Sequence, residues 1–317
     1  MAGRELFLPS YHMVSDEPIP HVKYLYDYRK VRQFREDLDF FLAHYIPIDL
    51  ESLLKNLRHG NKRDLPCFFL SFDDGFRECH DVIAPILKEK GIPATFFINP
   101  AFLDNKELFW RCKASLLVGL FRRTYRRQWV NAVRALLARN QIHSKSIEKG
   151  ILHVKFNNRN ILDRIAKIVE LDFDEYLRLH KPYLTSKQVA SLIAQGFTIG
   201  AHSIDHPLFH SLNLESQILQ AIGSARLLEE MFLIECKAFA FPHNDELVSR
   251  KFFRRLGHES SLEITFGSSD MRKDPISNNF QRFFMDSRRW TAHRRACMLY
   301  FQIVGRTALG KDVMSRV

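Results

Sequence analysis

The chain has 317 residues, 46% hydrophobic and 12% aromatic, which is enough apolar material for one large domain or two modest ones and too much for a disordered polymer. Its formal charge of +11 is uneven, because residues 106–167 hold fifteen Lys or Arg against three acids and carry +12 by themselves. Arg4, Glu5, Pro9 and His12 interrupt any apolar leader, and the longest apolar run, 114–121, is far short of the roughly 20 residues a spanning helix needs, so neither a secretory signal nor a transmembrane segment is expected.

In chain order, residues 31–44 place Phe34, Leu38, Phe41 and Leu42 on one side, the spacing of an amphipathic helix, and a short helix is expected near 51–57. Residues 67–72 form a continuous apolar run that ends at Asp-Asp-Gly, the pattern of a buried parallel strand with acids at its carboxyl end. Ala84, Ile86 and Leu87 belong to a helix that Gly91 closes and Pro93 stops, and 94–98 is the next buried strand. That order predicts a right-handed parallel crossover. The alternation returns later: Thr185 and Gln188 form a capping box for a helix carrying Val189, Leu192 and Ile193, Gly196 ends it, and 197–200 is a strand. A helix over 215–232 and a short strand over 238–241, stopped by Pro242, follow. Residues 104–180 are basic, helix-leaning and poor in proline. The expected architecture is therefore an α/β barrel in 1–103 and 181–317 with a basic helical insertion at 104–180. Cys67, Cys79, Cys112, Cys236 and Cys297 are scattered, odd in number and without C-x-x-C spacing, so they read as buried thiols in a reducing compartment.

Ser71-Phe72-Asp73-Asp74-Gly75 sets two carboxylates at a strand end, where successive side chains diverge and each acid can have its own task. Taken alone it is equally an ordinary acidic turn. In Gly200-Ala201-His202-Ser203-Ile204-Asp205-His206 two histidines stand four apart after a later strand, and one helical turn would bring their rings together. Two imidazoles and a carboxylate suit zinc or another first-row ion and leave positions open for water and substrate. With fourteen histidines in the chain, such a pair alone also arises by chance. The combination is stronger, since it supplies a base and a metal shell on one face of a barrel.

The order S-F-D-D-G, then G-A-H-S-I-D-H-P-L, then F-A-F-P-H resembles the polysaccharide deacetylases, also called carbohydrate esterase family 4 or NodB-homology proteins. The opening from Tyr11 to Pro18 is similar to the leader segment of many members, and the likeness extends over 6–100 and 184–285. The resemblance implies an irregular (β/α)7 barrel, a divalent metal, usually zinc, held by Asp74, His202 and His206, and Asp73 as general base. It further implies an oxyanion donor in the backbone N–H of His243 and hydrolytic removal of an acyl group, acetyl or formyl, from an amino sugar of a surface glycan or its lipid-linked precursor. Two parts of the family pattern are absent. The third motif has no arginine to brace the base, and Arg282 is the candidate replacement. The late leucine-x-histidine motif that supplies the general acid is not recognisable, and His293 is the expected substitute, with His12 as another approach to the barrel mouth. These departures motivate the alternative of a catalytically weak glycan- or membrane-binding protein. Trp110, Phe121, Tyr125 and Trp129 interleave the basic stretch, so 106–167 is expected to meet an anionic membrane surface or a lipid-linked, phosphate-bearing substrate. No nucleic-acid motif accompanies the charge, and that partner is not expected. Without an export signal, the expected location is cytoplasmic, peripheral at the inner face of the membrane.

Overall fold

The structure, a computed structural model, describes residues 6–59 and 65–316. Among the described residues the chain divides into two compact units, one drawn from Met1–Asp16, Tyr28–Asp104 and Tyr183–Val317, the other from Glu17–Asp27 and Asn105–Pro182.

The first unit is built on eight parallel strands hydrogen-bonded in the order Asn279–Gln281, Ile264–Gly267, Ala238–Ala240, Thr198–Ala201, Ala94–Ile98, Leu70–Phe72, Pro9–Tyr11 and Phe283–Phe284. The strands at the two ends of this order are consecutive in the chain, separated by Arg282 alone. The Arg282 amide donates to Gly267 O (3.0 Å) and the Phe283 amide to Leu8 O (3.2 Å), so the backbone changes neighbours across one residue and nearly closes the barrel. Seven runs of chain thus make eight strands, which matches a (β/α)7 count with the last run shared.

These strands read as unbroken apolar runs because both faces are covered. Phe97, Ala238, Ala240, Ile264 and Phe266 join one buried cluster, while their neighbours Phe96, Ile98 and Phe239 join another. Gly200 makes room for this packing: a Cβ there would stand 2.4 Å from the Phe97 ring. The run 67–72 is not one strand. Cys67–Phe68 pairs with Leu6–Phe7 and Ile46–Pro47 in a separate three-stranded sheet, and the chain changes sheets at Phe69. Hydropathy cannot reveal that break, because the residues on both sides of it are buried.

The covering helices follow the sequence closely. Val31–His44 buries Phe34, Leu38 and Phe41, although Leu42 is 38% exposed, and it also buries Asp37, which accepts from Tyr11 Oη (3.1 Å) and forms an ion pair with Arg29, whose Nε lies 2.8 Å from Oδ2. A π-helical turn, Cys79–Ile83, precedes Ala84–Lys90, which Gly91 terminates at φ +65°. The Thr185–Gln188 capping box is present at the start of Ser186–Ala194.

The second unit holds the helices Trp110–Arg123, Arg127–Arg139, Ile147–Leu152, Asn160–Ile168 and Phe173–His180. Glu17–Asp27, which the sequence pattern places with the barrel, joins it: Ser115 Oγ donates to Pro20 O (2.8 Å), and His21 Nδ1 meets Tyr176 Oη (2.9 Å). Trp110 and Trp129 are buried, so of the aromatics interleaved in the basic stretch Tyr125 is the one that stands out, at 77% exposure. Four of the cysteines are buried thiols, whereas Cys297 is exposed, contrary to expectation. Among the described residues no helix is long and apolar enough to cross a membrane.

Candidate active site

Asp73 and Asp74 follow directly on Leu70–Phe72, and the Asp73 amide still belongs to the barrel, donating to Tyr11 O (3.0 Å). Asp74 and Gly75 then adopt φ values of +72° and +64°. Two left-handed residues in succession turn the chain sharply, and an aspartate in that region costs roughly 1–2 kcal/mol. The turn swings the second carboxylate away from the first.

Asp74 Oδ1 lies 3.4 Å from His202 Nε2 and 3.2 Å from His206 Nε2, and ligand atoms of the three residues lie within 4.8 Å of one another. All three side chains are buried. His202 follows Thr198–Ala201; its Nδ1 meets Ala240 O at 2.8 Å, which places the proton there and leaves the Nε2 lone pair facing Asp74. His206 is not one helical turn further on. Residues 202–206 form a loop in which Ser203 and His206 have positive φ, Ser203 Oγ accepts from the His206 amide (3.1 Å), and Asn99 Nδ2 donates to the carbonyls of His202 and Ser203. Burial lowers the His206 pKa despite the Asp74 charge, so its ring is held neutral, as a ligand must be. Burial would raise the Asp74 carboxyl, but the electrostatic influence of the neighbouring histidines, His206 first, outweighs it and holds the group well below the usual range. A buried carboxylate and two buried imidazoles, one fixed through its far nitrogen, fit a divalent cation.

Asp73 faces a different partner. Arg282 Nη1 and Nη2 donate to its two carboxylate oxygens at 2.7 Å each, and Nη1 also donates to Ser71 Oγ (2.9 Å) and Ser10 Oγ (3.1 Å). The guanidinium centre lies 5.1 Å from the Phe97 ring centroid and 5.8 Å from that of Phe266. Burial alone would raise the Asp73 pKa, but the Arg282 charge outweighs it and the carboxyl stays below its ordinary value. The residue that spans the closing strands is therefore the one that grips the first acid.

His12 stands one residue beyond Pro9–Tyr11, and since Tyr11 is in register with Phe72 it lies beside Asp73 across the ladder. Asp286 holds it twice: Oδ2 is 2.7 Å from the ring Nδ1, and Oδ1 accepts from the His12 amide (3.0 Å). The ring stacks on Phe284 with centroids 4.6 Å apart. Burial disfavours its charge, but Asp286 and then Asp74 and Asp73 overcome this and push its pKa up to about 9. Asp286 escaped the sequence reading; its only signal is an acid just past an apolar strand.

The remaining candidates divide. His243, at φ +60°, sets its ring 4.7 Å from that of His206, beside the cluster. His293 does not join it. Thr291 caps the helix Ala292–Ala308, which leaves His293 exposed in the first turn, its ring against Phe40 (5.9 Å) and its Nε2 3.7 Å from Cys297 Sγ.

With this geometry in hand, a family model described as polysaccharide deacetylase matches residues 60–258, more than half of the chain. The chain belongs to the polysaccharide deacetylase family. Membership makes the protein a hydrolase of amide bonds in glycans. Three solved structures share the fold. The Streptococcus pyogenes deacetylase PplD, in complex with acetate, has TM-score 0.58 and 12% identity, covering 93% of this chain and 97% of that one. IcaB from Ammonifex degensii has TM-score 0.55 and 14% identity over 94% and 97%. A de-N-acetylase from Aggregatibacter actinomycetemcomitans has TM-score 0.54 and 13% identity over 90% and 96%. No curated protein sequence matches significantly.

Proposed function

We propose that this polysaccharide deacetylase is a divalent-metal enzyme that removes the acyl group from an N-acyl amino sugar of a surface glycan or its lipid-linked precursor. The convergence of Asp74, His202 and His206 beside a separately braced carboxylate carries the reading. A cation held by those three residues, zinc being well suited to them, would supply Lewis acidity to the acyl group and to water. Asp73, kept ionised by Arg282, takes the proton of the attacking water. The backbone N–H of His243 is the donor for the developing oxyanion. His12, oriented and kept protonated by Asp286, gives its proton to the departing amine. Arg282 and His12 would fill the roles whose absence from the motifs motivated the alternative of a catalytically weak glycan- or membrane-binding protein, and their geometry supports the enzyme. The test is release of acetate or formate from N-acyl amino-sugar oligomers by metal-loaded protein. Chelation is expected to abolish release and metal addition to restore it; turnover that survives complete removal of metal would exclude metal dependence.

The acid role has a pH signature. A histidine whose pKa is raised in the folded protein carries its proton below that value and loses it as pH rises through it. The value of about 9 belongs to the cluster without a cation, and a cation would lower it, so the alkaline limb of kcat/KM is expected below 9. Asp286→Asn removes the main source of the upward shift and should move that limb down by at least about one pH unit. A limb that stays in place would remove His12 from the role.

The second unit is proposed to rest on an anionic membrane at its inner face. Between Trp110–Arg123 and Arg127–Arg139 the turn exposes Arg122, Arg123, Arg126 and Arg127 around Tyr125, and among the described residues none of these arginines pairs with a carboxylate. Each basic residue near such a surface contributes about 1 kcal/mol, an attraction that salt screens. Co-sedimentation with phosphatidylserine vesicles is expected at low salt and lost at high salt; protein that stays in the supernatant at low salt rules the idea out.

A further inference from the structure

The helix Ala292–Ala308 is apolar on two sides. Ala292, Ala296 and Leu299, with Ile303 beside them, pack into the barrel unit's core at the spacing of one helical face. Cys297, Phe301, Val304 and Ala308 repeat at the same spacing on the opposite side, where they are exposed, Phe301 at 71% and Val304 at 48%. Trp290 and Leu309, exposed as well, stand at the two ends of the helix. The charge around this stripe has one sign, because residues 287–311 contain six Lys or Arg and no Asp or Glu. Arg288, Arg295 and Arg306 are tied down, by Tyr28 O (2.8 Å), the Asp270 carboxylate and Asp270 O (2.7 Å) respectively. Arg289 and Arg294 are exposed and pair with no carboxylate among the described residues.

We infer that this outer face seats in the interface of an anionic bilayer, with the apolar stripe among the first acyl carbons and Arg289 and Arg294 among the headgroups. A bilayer offers apolar depth beneath an anionic layer, which matches apolar side chains flanked by cations alone. Trp290 and Tyr300, each a ring with a polar edge, suit the boundary between those layers. A second copy of the chain is the poorer occupant: a two-fold contact brings this face against itself and crowds like charges, with no acid from 287 to 311 to answer them. The helix also starts beside the candidate active site. The Ala292 amide donates to Asp37 Oδ1 (3.0 Å), and Asp37 accepts from Tyr11, the neighbour of His12. Resting on the proposed deacylation for this step alone, the seating favours a lipid-linked substrate, whose sugar is presented at the membrane surface.

The test is co-sedimentation of the full-length protein, at low salt, with phosphatidylcholine vesicles containing phosphatidylserine. Phe301→Ser combined with Val304→Ser leaves the net charge unchanged and should weaken partitioning about tenfold or more. Leu219→Ser, at a leucine 64% exposed on the helix Leu214–Phe232, should not. Arg289→Gln combined with Arg294→Gln should weaken it several-fold. Trp110 and Trp129 are buried, so lipids brominated in the upper acyl chain should quench Trp290, and Trp290→Phe should remove that quenching. Binding is read without turnover: if these results hold but no N-acyl sugar is hydrolysed, the deacylation reading fails and this one stands. Partitioning that the Phe301→Ser, Val304→Ser variant leaves unchanged, as a purely electrostatic contact through residues 122–127 would, overturns the inference. A dimer that this variant dissociates in the ultracentrifuge, with vesicle binding intact, also overturns it and makes a second copy the occupant.

Discussion

Asp73→Asn is expected to lower kcat by about 10²- to 10⁴-fold while the protein keeps its metal. The substitution is nearly isosteric and removes the only property asked of this side chain, a lone pair able to take a proton from water. The amide also turns one acceptor of the two-pronged Arg282 contact into a donor, so one of the two 2.7 Å hydrogen bonds is lost. Asp74, His202 and His206 are untouched, and metal analysis of the variant should match the parent. Steady-state kinetics with metal content measured on the same sample settles the matter, and a variant retaining more than about a tenth of the activity would mean that Asp73 is not the base.

Arg282→Met is expected to destabilise the fold strongly. It leaves the Asp73 carboxylate, 1% exposed, without its counter-ion inside the barrel, a situation that costs about 3–5 kcal/mol. The sign of its pH dependence follows from the direction of the Asp73 shift. A carboxyl held below its ordinary pKa contributes stability above the unfolded-state value and loses it as pH falls through the folded one. Without Arg282, burial pushes the same carboxyl up, so the variant's deficit is largest near neutral pH and narrows toward acid as the group takes up a proton. Urea unfolding of parent and variant at pH 7 and pH 5 measures this; a deficit under about 1 kcal/mol at pH 7 would show that the pair matters little. Activity should fall with it, because the protonated acid is no longer a base.

Much of the site is legible in the chain because its pieces sit at the ends of deeply buried strands. The runs before Asp73 and His202 are mostly buried and give way at once to polar residues, so their positions and the side chains just beyond them follow from pattern alone. What the pattern does not carry is anything that depends on which strand lies beside which. His12 and Asp286 meet across 274 positions, and nothing local marks either as the other's partner. The placement of His293, exposed against Phe40, is hidden for the same reason: its helix cap is readable from Thr291, but which side of the barrel that helix covers is not. The loop from His202 to His206 mimics helical spacing while using left-handed residues, a geometry fixed by Asn99 on the adjacent strand end. The change of sheets at Phe69 leaves no trace in hydropathy, and Glu17–Asp27 is assigned to the helical unit by contacts with Ser115 and Tyr176 far along the chain.

Arg282 is the single residue between the two strands that bring the sheet's edges together, and its side chain spans from Ser10 to Asp73. Structural completion and chemical readiness are therefore one event in this molecule. A folding intermediate with that seam still open would have its first acid neither shielded nor oriented, and a ribosome-bound chain cannot bring that acid and its counter-ion together until the segment around residue 282 has emerged and returned to residue 10.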